Sequence, residues 1–222
     1  MSAPRPYDVI TFDCYGTLID WESGIAGAFS REAAESGGRL DPPAVPAAYE
    51  RIEAQVEAER YRSYREVLTE SARRVARQLD WALLESRAGF LAESLPFWIP
   101  FPDTNGALER LFRAGYRLGI LSNVDDDLLA GTRKHFTVPF DLIVTAQQVR
   151  AYKPADGHFL TARERIGDQR WLHAARSHFH DVTPCTRLGV PVAWINRAGE
   201  SRGGPRPERE LSTLTELADW LT

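Results

Sequence analysis

Five short, nearly uninterrupted apolar runs, each closing on a polar residue, constrain this chain more than any other feature. They are Asp8-Val-Ile-Thr-Phe-Asp13, Arg117-Leu-Gly-Ile-Leu-Ser-Asn123, Phe140-Asp-Leu-Ile-Val-Thr145, Trp171-Leu-His-Ala-Ala-Arg176 and Val190-Pro-Val-Ala-Trp-Ile-Asn196. Runs this short and this apolar fit strands buried on both faces, as in a parallel sheet. Helical stretches separate them. Asp103-Thr104 can cap a helix through about Ala114, ended by Gly115. Asp125-Asp126-Asp127 opens another, since acids favour a helix's positive N-terminus. Stretches from 154 to about 166 and from 211 to 221 complete the set. Strand and helix alternate, which predicts an α/β fold with a Rossmann-like, doubly wound parallel sheet.

Residues 20–97 break that rhythm. They hold no convincing strand, Pro42, Pro43 and Pro46 punctuate their first third, and 47–95 is rich in Ala, Glu, Arg and Leu at helical spacing. The expected organisation is an α/β core from 1–19 and 98–222, with an all-helical insertion over 20–97. A chain of 222 residues with 43% hydrophobic content can bury such a core together with a smaller domain.

Composition excludes several function classes. Net charge is −4 and no basic stretch tracks a polyanion, so nucleic acid is not an expected partner. The most polar stretch, 196–210, reads as a solvated loop. No apolar run approaches the roughly 20 residues that span a bilayer, and residues 1–6 are followed by no hydrophobic signal segment. Cys14 and Cys185 are too few for a disulfide framework; a cytoplasmic location is the expectation. Cys14 neighbours Asp13, but adjacent strand residues point to opposite faces, so it reads as a small residue filling space.

Ligands of open α/β sheets gather above the carboxyl ends of the strands. Those ends supply Asp13, Ser122-Asn123, Lys153 shortly after the third strand, and Arg176 with Asp181. Each alone is weak, since a strand-end Ser-Asn is usually a turn and Lys153-Pro154 a helix entry. Their ordered occurrence at successive strand ends is the stronger signal. A carboxylate held at the end of a buried strand is placed for nucleophilic attack on a ligand above the sheet.

Asp13-x-Tyr-Gly-Thr-Leu, Ser122-Asn123, Lys153-Pro154 and His180-Asp181, in this order, resemble the four motifs of the haloacid dehalogenase superfamily, and the helical insertion resembles its cap domain. Asp13-x-Tyr-Gly-Thr-Leu and Trp194-Ile-Asn-Arg197 resemble the type II 2-haloacid dehalogenases within it. The resemblance implies a hydrolase without cofactor. Asp13 would displace halide from a short 2-haloacid, the small-molecule partner, and water would hydrolyse the resulting ester to a 2-hydroxy acid. Lys153 would keep Asp13 ionised, because a nearby opposite charge favours the charged form. Asp181 would pair with Lys153 and orient water. Ser122 and Asn123 would hold the substrate carboxylate, Thr17 would brace the nucleophile loop and Tyr15 would wall the pocket. A halide-binding arginine comes from the cap in such enzymes: Arg51 matches best by spacing, with Arg62 and Arg65 as rivals. Arg176, His178 and His180 are further substrate-binding candidates, and apolar residues of the cap allow a homodimer.

The superfamily's phosphatases need an acid two residues after the nucleophile and acids that bind magnesium. Tyr15 occupies the first position and is a poor acid at neutral pH. Arg176 stands where motif IV often has Asp, and a guanidinium repels a cation. Halide, by contrast, leaves without protonation. Other positions depart from the dehalogenase pattern: Phe159 replaces an expected tyrosine, Arg176-Ser177-His178 replaces Ser-Ser-Asn, and His180 replaces an aromatic. His178-x-His180-Asp181 could be read as a metal set, but Lys153 and Arg176 oppose a cation, and the expectation is no metal. The competing readings are a magnesium-dependent phosphatase using Asp127 or Asp168, and a binding protein that keeps the fold without turnover.

Overall fold

The structure is a computed structural model that describes residues 5–38, 40–41, 43–201 and 203–222. Pro42, the first four residues and Arg202 of the expected 196–210 loop lie outside the described residues. Six strands, β1 (Val9–Phe12), β2 (Arg117–Ser122), β3 (Leu142–Thr145), β4 (Trp171–Ala175), β5 (Val192–Ile195) and β6 (Arg209–Leu211), form one sheet in the order β3-β2-β1-β4-β5-β6. Every pairing is parallel. The helices are α1 (Trp21–Glu35), α2 (Ala44–Glu57), α3 (Tyr64–Gln78), α4 (Phe90–Ser94), α5 (Thr104–Arg113), α6 (Asp126–Thr132), α7 (Ala146–Val149), α8 (Gly157–Ile166), α9 (Thr183–Leu188) and α10 (Leu214–Leu221).

β1 lies at the centre, and the chain winds first toward β3 and then, from β4 onward, to the other side. This is the doubly wound arrangement, and its switch point lies at the carboxyl end of β1. All four residues of β1 are buried, as are those of β4 and β5, which is why these strands read as continuous apolar runs. β6 covers the end of the expected solvated 196–210 loop and the first residue of the expected 211–221 helix. It is instead a three-residue edge strand, Arg-Glu-Leu, whose side chains remain exposed or half-buried and therefore carry no apolar signature. Val9, Leu121, Val144, Val192 and Trp194 of the strands join Phe159, Ile166 and Val182 in a continuous apolar core.

The chain divides into two compact units. One comprises the chain up to Ile19 with Pro100–Asn123 and His135–Thr222; the other comprises Asp20–Ile99 and Val124–Lys134. The first holds the sheet with α5 and α7–α10, the second α1–α4 and α6. Residues 124–134, expected with the α/β core, thus belong to the helical unit. There α6 packs on the turn Leu95–Phe97, and a Cβ added at Gly131 would lie 2.9 Å from Pro96. The first acid of Asp125-Asp126-Asp127 does not cap its own helix: its carboxylate accepts from the amides of Tyr64 and Arg65, 2.9 Å each, at the N-terminus of α3. Phe29, Trp81 and Phe90 meet edge to face in the core of this unit, with centroids 5.0–6.2 Å apart.

In the sheet-bearing unit the chain leaves at Ile19 and returns at Pro100, and these two residues form a β-bridge. The Phe101 amide donates to the Leu18 carbonyl at 3.1 Å, and the Thr104 hydroxyl donates to the same oxygen at 2.7 Å. Among the described residues no helix is long and apolar enough to cross a membrane.

Candidate active site

Asp13 follows β1 directly, its amide donating to the Ala174 carbonyl of the neighbouring strand at 3.1 Å. Three residues on, the backbone must turn sharply, and Gly16 adopts φ +95°, a left-handed conformation that a side chain resists. The turn brings Thr17 back to Asp13: its hydroxyl donates to Asp13 Oδ2 at 2.9 Å and accepts from the Arg176 amide at 2.9 Å. Thr17 therefore ties the loop after β1 to the loop after β4.

Lys153 is 2% exposed, and its ammonium donates three hydrogen bonds: to Asp13 Oδ1 (2.9 Å), Asp181 Oδ1 (2.6 Å) and the Leu121 carbonyl (2.9 Å). Three donors meet three acceptors, so the cation is fully satisfied without water. Burial disfavours its charge, but Asp13 and then Asp181 outweigh burial and push the Lys153 pKa up. The Asp181 carboxyl is likewise penalised by burial, yet Lys153 and His173 hold it well below the usual carboxylate range. Asp181 Oδ1 is shared by Lys153 and His173 Nε2 (3.0 Å), whereas buried Oδ2 has no partner among the described residues.

The other expected residues fall into two groups. Ser122, at the end of β2, is buried, and its hydroxyl has no hydrogen-bond partner among the described residues. Asn123 was expected to hold a substrate carboxylate; its side chain brackets Lys153, accepting from the Lys153 amide at 2.7 Å and donating to the Lys153 carbonyl at 3.2 Å. Its amide is thus used in positioning the lysine backbone. Tyr15 is half-buried on the Gly16 turn and forms a bridge with Ile19. Arg176 places its guanidinium 3.1 Å from Glu200, and its carbonyl accepts from Trp194 Nε1 at 2.7 Å.

His178 and His180 open the π-helical turn His178–Val182, whose first residues are gathered by the Ser177 hydroxyl. His180 Nδ1 lies 3.1 Å from that hydroxyl. His178 Nε2 donates to the Pro205 carbonyl at 3.0 Å, and its ring meets Trp194 edge to face; this side chain is committed to the 203–205 segment rather than to the Asp13 cluster. Arg51 is exposed on α2 and its guanidinium bonds Gln78 of α3. Its rivals Arg62 and Arg65 pair with Glu59 and Asp127, each at 2.7 Å.

Sequence reasoning missed several contributors. Thr11 and His173 passed as interior strand residues. His173 is fully buried, between Asp181 and the Thr11 hydroxyl (2.8 Å from Nδ1). A polar residue inside an otherwise apolar buried run was the available signal. Arg197 grips Asp103 through two bonds of 3.0 and 3.1 Å, donates to the Thr17 carbonyl at 3.1 Å and lies over the Phe101 ring at 4.0 Å. Cys14 is buried, and burial followed by the Asp13 charge pushes its thiol pKa up, which suits a space-filling residue. Among the described residues no group of three or more His, Cys, Asp and Glu side chains is arranged to hold a metal ion.

This arrangement presents an oriented carboxylate beside an ammonium and a second carboxylate with one oxygen unshared. It can support nucleophilic attack by Asp13, followed by hydrolysis of the covalent product. The chain is 29% identical over 231 residues to the (S)-2-haloacid dehalogenase H-109 of Pseudomonas putida, covering 98% of this chain and 99% of that one. It is 27% identical to the haloacetate dehalogenase H-2 of Moraxella sp. (strain B), covering 88% of each. In fold it is similar to the L-2-haloacid dehalogenase RSc1362, with a TM-score of 0.85 and 22% identity over 97% of this chain and 98% of that one. The family model for haloacid dehalogenase-like hydrolases matches residues 7–175, and the chain belongs to that family.

Proposed function

We propose that this hydrolase cleaves the carbon–halogen bond of a short 2-haloacid or haloacetate through an ester on Asp13. The observation that carries the reading is Lys153 bridging Asp13 and Asp181 in a buried cluster whose neighbouring position is Tyr15 rather than an acid. Lys153 and Thr17 hold the Asp13 carboxylate in one orientation, so attack requires little reorganisation. Asp13 displaces halide, which departs as the anion and needs no proton. Water then adds to the ester carbonyl, its proton accepted at the unshared oxygen of Asp181. Collapse breaks the bond to the alkoxide oxygen, which takes the proton back from Asp181 to give the 2-hydroxy acid, and Asp13 returns as a carboxylate as the second water proton leaves to solvent. Ser122 offers a buried hydroxyl to the substrate carboxylate.

Chloroacetate, fluoroacetate and each enantiomer of 2-chloropropionate, incubated separately with the enzyme, are expected to yield halide from at least one. Single turnover in H₂¹⁸O is expected to leave heavy oxygen in the Asp13 peptide. Magnesium-dependent phosphate release from small phosphoesters, with no halide from any acid, overturns the reading. We assign the helical unit the role of cap. Replacing Arg51, Arg62 and Arg65 singly by alanine tests this, one of the three being expected to lower kcat on the haloacid. The two buried, unpaired thiols fit a reducing compartment, and we propose a cytoplasmic location.

A further inference from the structure

We infer that His173 is a positioning residue for hydrolysis of the Asp13 ester: it fixes the rotation of the Asp181 carboxylate so that Oδ2 alone faces the reacting water. The inference rests on the dehalogenation reading for its chemical step, and on geometry for everything else.

An aspartate carboxylate rotates over a broad range, and a single ammonium can follow either of its oxygens. Here two donors arrive at the same atom. Lys153 Nζ lies 2.6 Å and His173 Nε2 3.0 Å from Asp181 Oδ1; a carboxylate has no proton to give, so the imidazole is the donor. Two donors from separate directions fix the plane of the group and occupy one oxygen. The other oxygen is buried and unpartnered among the described residues.

The imidazole is itself held. Thr11 Oγ1 lies 2.8 Å from Nδ1 and accepts from Trp171 Nε1 at 2.7 Å, while Phe159 meets the ring edge to face at 5.6 Å. Thr11 and His173 are paired residues in the register of β1 and β4, and Trp171 precedes His173 by two positions on the same strand face. Thr11 likewise precedes Asp13 by two. The strands that deliver the nucleophile therefore also carry the groups that fix its partner, and the polar chain runs from Trp171 through Thr11, His173, Asp181 and Lys153 to Asp13. Each polar residue in it is buried, where an unneeded polar group would be costly.

The test separates the two chemical steps. In single turnover with a haloacid that wild type accepts, His173→Leu should form the Asp13 ester at close to the wild-type rate. It should hydrolyse the ester roughly 10- to 100-fold more slowly, since a hydrogen bond to a charged group is lost. The Asp13 peptide should then persist with the added mass of the acid. His173→Gln, which can still reach Asp181 with an N–H, should recover most of the hydrolysis rate. Equal slowing of both steps, no slowing, or no recovery by glutamine overturns the inference. An arm without substrate keeps the two readings apart. The ¹⁵N resonance of His173 Nε2 should shift between the wild-type protein and Asp181→Asn, and an unmoved resonance overturns the inference. Failure of every haloacid to alkylate wild-type Asp13, with the His173 resonance responding as expected, removes the dehalogenation reading instead.

Discussion

The Asp13–Lys153–Asp181 cluster and the arginine–glutamate pairs on the helical unit each set a cationic side chain against carboxylates at similar distances. Lys153 meets its carboxylates at 2.9 and 2.6 Å, and Arg74 meets Glu59 and Glu70 at 2.8 and 2.7 Å. Their surroundings differ. Lys153 and Asp181 side chains are each 1% exposed, whereas Arg74 and Glu59 keep 30% and 38% of their surface in water. In the cluster, removing one partner strands another charge without solvent. On the helices, water replaces whichever partner is lost. Separation alone does not measure what an ion pair contributes; access to water does.

The sharpest way to break the comparison is Lys153→Met. It leaves two carboxylates facing each other in a buried site, and stability is expected to fall by about 3–5 kcal/mol, measured from the urea midpoint. A fall below about 1 kcal/mol would mean the cluster is hydrated and behaves like the surface pairs.

A buried but uncharged neighbour sharpens the contrast. Burial first, and Lys153 next, hold the His158 pKa down at about 3, and its Nε2 donates to the Ser122 carbonyl at 3.1 Å. Between about pH 6.5 and 3 the unfolded chain binds a proton here that the folded chain refuses. Stability therefore declines as pH falls through that window, by up to about 1.4 kcal/mol per pH unit, and levels off near 3. His158→Gln retains a donor and should flatten that part of the profile, as followed by thermal unfolding at stepped pH. The smallest effect belongs to Arg74→Ala. It should cost under about 1 kcal/mol, and less still in high salt.

What could be read from the residues follows the same division between inside and outside. The interior parallel strands were visible because burial on both faces makes them continuously apolar; β6, at the edge, obeys no such pattern. Asp13, Lys153 and Asp181 were legible because a doubly wound sheet sends its functional groups to the strand ends. The grouping of α6 with the helical unit was hidden because its contact, Gly131 against Pro96, joins residues far apart in the chain. Asn123 was legible as a strand-end polar residue but not as a bracket for the Lys153 backbone, and Asp103 looked like a helix cap while its carboxylate serves Arg197 and the Leu214 amide. A side chain's position can be inferred from periodicity; its partner across the fold cannot.

The bridge between Ile19 and Pro100 has a consequence for the chain's history. The two ends of a long excursion are already stitched together inside the sheet-bearing unit, by that bridge, by Thr104 on Leu18 and by Arg197 between Thr17 and Asp103. With its ends so fixed, a doubling of the excursion's length costs only about 0.6 kcal/mol in loop-closure entropy. The stitched neck lets the intervening segment be lengthened, shortened or exchanged while the sheet folds on unchanged terms.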